Sequence, residues 1–202
     1  MTIAYTIGAK LYLNITNKCH CRCVFCLRSF GDGVNPGESL WLEHEPEIHE
    51  IKTALKDRIL NEYDEIVFCG YGEPTERLET LLEIAAYIKG KTTTPIRLNT
   101  NGLCDLINGK PVAPLLAGFI DIVSISLNAP AKERYVQLCR PAFGEESFDA
   151  LLSFAAACKK QRITVGFSIV DVIQDDEIDR CRELAAGMGI PLRVRHTGRS
   201  TG

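Results

Sequence analysis

The feature that most limits how this chain can fold is a regular exchange of two periodicities. Short β-branched runs bounded by turn residues stand at Leu11–Thr16 (LYLNIT), Glu65–Cys69 (EIVFC), Ile96–Thr100 (IRLNT), Asp121–Leu127 (DIVSISL), Ile163–Val170 (ITVGFSIV) and Leu192–Arg195 (LRVR), and such runs read as strands. Between them apolar residues recur three or four apart: Ile48, Ile51, Leu55 and Ile59; then Leu78, Leu81, Leu82, Ala85 and Ile88; then Ile178, Cys181, Leu184, Ala185 and Met188. That spacing predicts helices, with Gly90 and Gly189 as their stops. Phe148–Cys158 adds a further helix, and Leu115–Ala117 supports only a short one. Strands alternating with helices imply a parallel sheet with right-handed crossovers. A doubly wound sheet and a barrel both satisfy the pattern. The 202 residues suffice for one domain but are short for a closed eight-stranded barrel, which takes about 250 residues. An incomplete (β/α)6 barrel, a partial TIM barrel on a six-stranded parallel sheet, fits the count. No repeat, linker or low-complexity segment interrupts residues 1–202.

In either architecture chemistry collects at the C-terminal ends of the strands. The first strand is followed by TNKCHCRCVFC (Thr16–Cys26), the second by GYGEPTE, and the third runs into NTNG; the fourth carries SISLNAP, the fifth is VGFSIV and the sixth ends in RHTGR. Loops rich in Gly, Asn, Glu and Cys therefore gather on one face as a single candidate site.

The net charge of −3 is unlike that of a generic nucleic-acid binder. No run approaches the roughly 18 apolar residues of a membrane span, and MTIAYTIGAKLYLNIT lacks the basic start and cleavage site of a signal peptide. These features imply a cytoplasmic protein with reduced thiols, in which clustered cysteines bind metal or do chemistry.

Four cysteines fall within eight positions, Cys19 to Cys26, out of nine in the chain. Cysteines this close rarely reach disulfide geometry with one another. A zinc site could draw on Cys19, Cys21, Cys23, Cys26 and His20, yet no second CxxC pair follows. Plain buried thiols sit poorly in a loop holding Arg22 and His20. An iron–sulfur cluster fits best: Cys19, Cys23 and Cys26 form CxxxCxxC after an apolar strand and beside Phe25, and three thiolates would leave one iron open for a substrate.

With these residues the chain resembles the radical S-adenosylmethionine (radical SAM) enzymes, from Thr16 to about Arg195. Most similar is the TatD-associated radical SAM subfamily, through TNKCHCRCVFC, GYGEPT, SLNAP and LCRP. The resemblance implies an incomplete barrel whose 4Fe–4S cluster is held by Cys19, Cys23 and Cys26, with Cys21 a loop residue. It implies that Tyr71-Gly72-Glu73-Pro74 stands for the family's Gly-Gly-Glu-Pro segment, which binds the amino group of S-adenosyl-L-methionine; Tyr71 departs from the first glycine. Backbone carbonyls exposed by a Gly turn, with Glu73, suit an ammonium. Asn101 matches a polar position near the cofactor carboxylate. Ser126 and Asn128, which share a face by strand alternation, match the position that meets the ribose. VGFSIV loosely matches the adenine contact, and Arg134 and Arg140 are candidate carboxylate clamps beside the blander reading of a solvated helix face.

The activity so implied is reductive cleavage of S-adenosylmethionine to methionine and a 5′-deoxyadenosyl radical, which abstracts hydrogen from a substrate. It implies an electron donor such as flavodoxin or ferredoxin and one core domain over residues 1–202, with no auxiliary-cluster domain. A wide mouth suits a macromolecular substrate, and a second copy in a homodimer could equally close it. Two other classes stand beside this reading: a metal-binding scaffold without turnover, holding zinc or an iron–sulfur group, and a non-radical enzyme using Cys69 or Cys104, beside which no His or acid is placed.

Overall fold

The computed structural model describes residues 1–29 and 39–196; Thr197–Arg199 of the RHTGR segment lie outside them. The elements in chain order are β1 (Ala4–Ile7), β2 (Lys10–Leu13), α1 (Ile48–Lys56), β3 (Glu65–Phe68), α2 (Leu78–Lys89), β4 (Ile96–Thr100), α3 (Cys104–Asn108), α4 (Ala113–Leu116), β5 (Ile122–Ser126), α5 (Lys132–Cys139), α6 (Glu146–Lys160), β6 (Thr164–Val170), α7 (Asp175–Gly187) and β7 (Leu192–Arg195). The strands form one seven-stranded sheet in sequence order. The six expected strands run parallel from β2 to β7.

The expectation of six strands is corrected by β1, which pairs antiparallel with β2 and makes the sheet seven-stranded and mixed. The signal was the two-residue loop Gly8-Ala9 between Ile7 and Lys10. Gly8 has φ +57, the left-handed conformation a tight hairpin requires.

Strand order settles which winding the parallel part adopts. A doubly wound sheet reverses direction at a switch point. Here each new strand adds on the same side of the last, so right-handed crossovers would lay every helix on one face. The register shows the consequence. Positions such as Leu11, Leu13, Phe68, Leu98, Val123, Ile125 and Ile169 are fully buried in the apolar core shared with the helices. The alternate positions, among them Lys10, Glu65, Arg97, Asn99, Ser124 and Ser126, fall on the other face and stay half-exposed. Burial of apolar side chains on the first face drives folding, at about 25 cal/mol per Å².

Helix α6 is central to this core. It packs on α3, α4, α5, β5 and β6, and its Phe154 is fully buried. Helix α1 opens with a reciprocal box between Glu47 and Glu50, and α7 with one between Gln174 and Glu177; such boxes satisfy free N–H groups at a helix start. Among the described residues no helix is long and apolar enough to cross a membrane.

Phe154→Ala should lower the unfolding free energy by about 3–5 kcal/mol through lost burial and the cavity left behind. Urea denaturation checks this, and a loss under about 1 kcal/mol would move the centre of the core elsewhere.

Candidate active site at the strand ends

The cysteine loop follows β2 and is held along its length by backbone bonds. On one side it runs beside the segment after α5: Arg22 N–H donates to the Cys139 carbonyl (3.0 Å), Val24 N–H to Leu138 (2.9 Å), and Ala142 N–H to His20 (2.8 Å). The LCRP segment is therefore the wall on which the cysteines lie. Arg140 sits there in a left-handed conformation with φ +44 and is exposed.

On the other side the loop meets the turn after β3. Gly72 N–H donates to the Thr16 carbonyl (3.0 Å) and Glu73 N–H to that of Lys18 (2.7 Å). A Cβ on Gly72 would stand 2.4 Å from the Thr16 oxygen and 2.6 Å from the Lys18 oxygen, so only glycine lets the two backbones approach. Gly70 is likewise pressed against the Asn14 side chain. Tyr71 is buried between them, edge-on to Trp41.

Glu73 is 3% exposed. Its carboxylate accepts from Thr75 N–H (3.2 Å), the Thr75 hydroxyl (2.9 Å), the Thr100 hydroxyl (2.9 Å) and Asn101 N–H (2.7 Å). Burial pushes the carboxyl above its ordinary value, against the downward pull of these donors. The carboxylate is thus tied to β4 and to its own turn: Oε1 takes three of these bonds, and Oε2 accepts from Asn101 N–H. Pro74 opens the short 3-10 turn that follows.

Asn101 comes next to the thiols. Its Oδ1 accepts from Leu103 N–H (2.8 Å), and its Nδ2 lies 3.9 Å from Cys19 Sγ and 3.8 Å from Cys21 Sγ. Ser126 ends β5 on the half-exposed face. Asn128 does not share that face as strand alternation implied. The strand ends two residues earlier, and Asn128 has φ +58, which breaks the pleat and turns its Nδ2 toward Cys139 Sγ (3.6 Å). Among the described residues its Oδ1 is buried without a partner. Arg134 is not free as a clamp, since its guanidinium makes two bonds to Glu177 (2.8 and 3.3 Å).

The thiols divide into two sets. A hydrogen bond from the Cys139 thiol, then one from Cys21, brings Cys23 down to about 4 against the effect of burial. Cys19 is lowered too, first by a hydrogen bond from Cys21. Cys21 and Cys139 are pushed up as the donors in these contacts. Cys26 accepts from Arg28 Nε (3.3 Å), and the same guanidinium reaches the carbonyls of Asn17 (3.2 Å) and Cys21 (3.5 Å). His20 turns outward, bonding Glu76 (2.5 Å) and stacking on Phe143. Among the described residues no three Cys, His, Asp or Glu side chains converge as on a single ion; cluster ligands stand apart by the width of the cluster.

A profile of the Radical SAM superfamily matches residues 13–185. The chain belongs to the radical SAM superfamily. Members of this superfamily are enzymes that use a 4Fe–4S cluster and S-adenosyl-L-methionine, and these are the cofactors membership gives this chain. GTP 3',8-cyclase of Pelotomaculum thermopropionicum is 34% identical over 133 residues, covering 64% of this chain and 37% of that protein. The fold is similar to that of Streptococcus suis SuiB bound to S-adenosylmethionine (TM-score 0.68, 14% identity, 96% of this chain and 42% of SuiB). It is also similar to methylornithine synthase PylB (TM-score 0.68, 16% identity, 96% of this chain and 54% of that chain). The chain thus spans about half or less of the length of these relatives.

Within this radical SAM site, Thr75, Thr100 and Cys139 lie inside the GYGEPT, NTNG and LCRP segments but were given no role there, and Arg28 stands two residues past the cysteine motif; only the fold brings Thr100 and Cys139 to their partners. The other candidate nucleophiles are poor ones: burial raises the Cys69 and Cys104 thiols.

Glu73→Gln would set an amide N–H₂ against one of four donors. It should cost about 1–3 kcal/mol of stability, the penalty of a buried donor left without its acceptor. A helix-dipole role alone would cost about 0.3–1 kcal/mol. Thermal and urea unfolding of the two proteins checks this.

Proposed function

We propose that this chain carries the core of a radical SAM enzyme, with its reaction at the C-terminal ends of β2–β7. The observation that carries the reading is the cysteine loop after β2: Cys19 Sγ accepts from Cys21 N–H (3.4 Å) and lies 3.9 Å from Asn101 Nδ2, and Cys26 Sγ accepts from Arg28 Nε (3.3 Å). That donor set fits an anionic cluster ligated by three thiolates, because hydrogen bonds to the sulfurs stabilise ligated thiolate and tune the cluster. When bound, the cluster supplies the electron that cleaves S-adenosylmethionine to methionine and a 5′-deoxyadenosyl radical, which takes a hydrogen atom from the substrate.

The protein's own residues position and shield. Cys19, Cys23 and Cys26 hold the cluster, and Arg28 clamps their loop through Cys26, Asn17 and Cys21. The carbonyls of the Tyr71–Gly72 turn receive the ammonium of S-adenosylmethionine; Glu73 and Pro74 fix that turn rather than touch the cofactor. Asn101 stands by its carboxylate. Ser126 and the unpartnered Oδ1 of Asn128 face its ribose, the latter because a buried acceptor without a donor is rare unless a ligand supplies one. The sheet is read as the family's incomplete (β/α)6 barrel with β1 added at its edge. The motif set GYGEPT, SLNAP and LCRP favours the TatD-associated subfamily. The electron comes from a donor such as flavodoxin or ferredoxin.

Anaerobic reconstitution should load four irons with sulfide, and 5′-deoxyadenosine should form with dithionite and S-adenosylmethionine. Ala at Cys19, Cys23 or Cys26 should abolish iron binding; Cys21→Ala should retain it. Zinc in place of iron would favour a scaffold without turnover, and iron lost in Cys21→Ala but kept in Cys23→Ala would overturn the ligand assignment.

A further inference from the structure

The polar face of the sheet has a charge pattern that the cofactors do not explain. Among the described strand residues it carries Lys10, Arg97, Arg193 and Arg195 against one carboxylate, Glu65, in a chain whose net charge is −3. At the N-terminal end of the strands the charges are matched: Glu65 lies 2.6 Å from Lys10 Nζ and 3.1 Å from Arg97 Nη1. At the C-terminal end they are not. Among the described residues no carboxylate pairs with Arg193 or Arg195. Both are exposed. Desolvation, and then repulsion from Arg193, holds the Arg195 guanidinium below its ordinary value, while its charge is felt by Cys69 and Cys23. Two adjacent cations without a counter-ion at the mouth of a site form an anion trap.

A second observation comes from the strands between. Among the described residues Asn99 Oδ1 and Arg97 Nε are buried with no hydrogen-bond partner, and both lie on this same face. Buried polar atoms are satisfied as a rule, so an unpaired acceptor and an unpaired donor here mark a place for a polar ligand. The arginines stand on β7, three strands from β4, whereas the cysteine loop and the Tyr71–Pro74 turn meet at β2–β4. The arginines are therefore set apart from the proposed cofactor position, and Arg97 and Asn99 on β4 border it.

We propose that Arg193 and Arg195 grip an oxyanion of the substrate, a carboxylate or a phosphate, while Asn99 and Arg97 bond its polar atoms deeper on the same face. This rests on the reading that the radical forms at the cysteine end of the sheet. The planar guanidinium fork suits either oxyanion through paired N–H bonds. The substrate would thus be an anionic small molecule, or an acidic part of a larger one.

The test is calorimetric titration of the anaerobically purified full chain, at low salt, with pyrophosphate and with tricarballylate. At least one should bind, and the tighter of the two names the phosphate or carboxylate class. Binding should weaken about ten- to a hundredfold in Arg193→Gln/Arg195→Gln, as expected for lost charged hydrogen bonds. It should recover in part in Arg193→Lys/Arg195→Lys, and stay unchanged in Arg182→Gln, whose ion pair with Asp179 lies on α7. S-adenosylmethionine affinity of the cluster-loaded Gln variant should stay within about twofold of the parent. Binding of neither anion, equal binding by the Gln variant, or loss of S-adenosylmethionine affinity in that variant would each overturn the proposal. Anion binding that depends on the arginines in a protein that never cleaves S-adenosylmethionine would instead sink the radical reading and uphold the anion site.

Discussion

The carboxylate of Glu73 is the point at which three strand ends are tied together. Its backbone N–H is bonded to the loop after β2, its side chain to the end of β4, and its own turn follows β3. A buried carboxylate is costly unless every lone pair is met by a donor, and four donors meet this one. The cost and the compensation both depend on the three loops keeping their places, so the residue converts a packed parallel sheet into a fixed arrangement of loops above it. Gly72 works with it, since only the missing Cβ allows the turn to close on Thr16 and Lys18. Thiols on a loop this constrained can be held at set positions before any cofactor arrives.

Much of this was legible in the sequence because it is periodic or local. The six parallel strands and the longer helices follow from residue spacing, and the helix stops at Gly90 and Gly189 coincide with the ends of α2 and α7. Strand β1 was missed because four residues carry too little pattern, although the Gly8-Ala9 loop was a usable hairpin signal. Helix α3 was missed because it is five residues long, whereas α5 was expected only as the helix carrying Arg134, without bounds. The motif residues were found, but their partners were not. Thr100 reaches Glu73 and Cys139 reaches Cys23 only through the fold. Asn128 was misplaced because alternation was carried past the end of the strand, where a positive φ ends it.

The two faces of the sheet separate stability from function. One is a continuous apolar layer under the helices, where a lost side chain costs stability directly. The other is mixed, with buried Val67, Ser168 and Val170 among half-exposed polar positions, matched charges at the base of the strands and unmatched arginines at the top. A parallel sheet normally has both faces covered, so half-exposed polar positions on this face are where the proposed ligands would be accommodated. The cysteine loop, the Tyr71–Pro74 turn and the arginines of β7 all lie at the C-terminal ends of the strands, the end at which the proposed cofactor and substrate groups would meet.

The most direct test of this account is low-temperature electron paramagnetic resonance of the anaerobically reconstituted, dithionite-reduced chain, recorded with and without S-adenosylmethionine. The account predicts a reduced 4Fe–4S signal whose shape changes when S-adenosylmethionine is added, because three protein thiolates leave one iron free to bind it. A 4Fe–4S signal that saturating S-adenosylmethionine leaves unchanged, or a protein that takes up zinc and no iron, would contradict it.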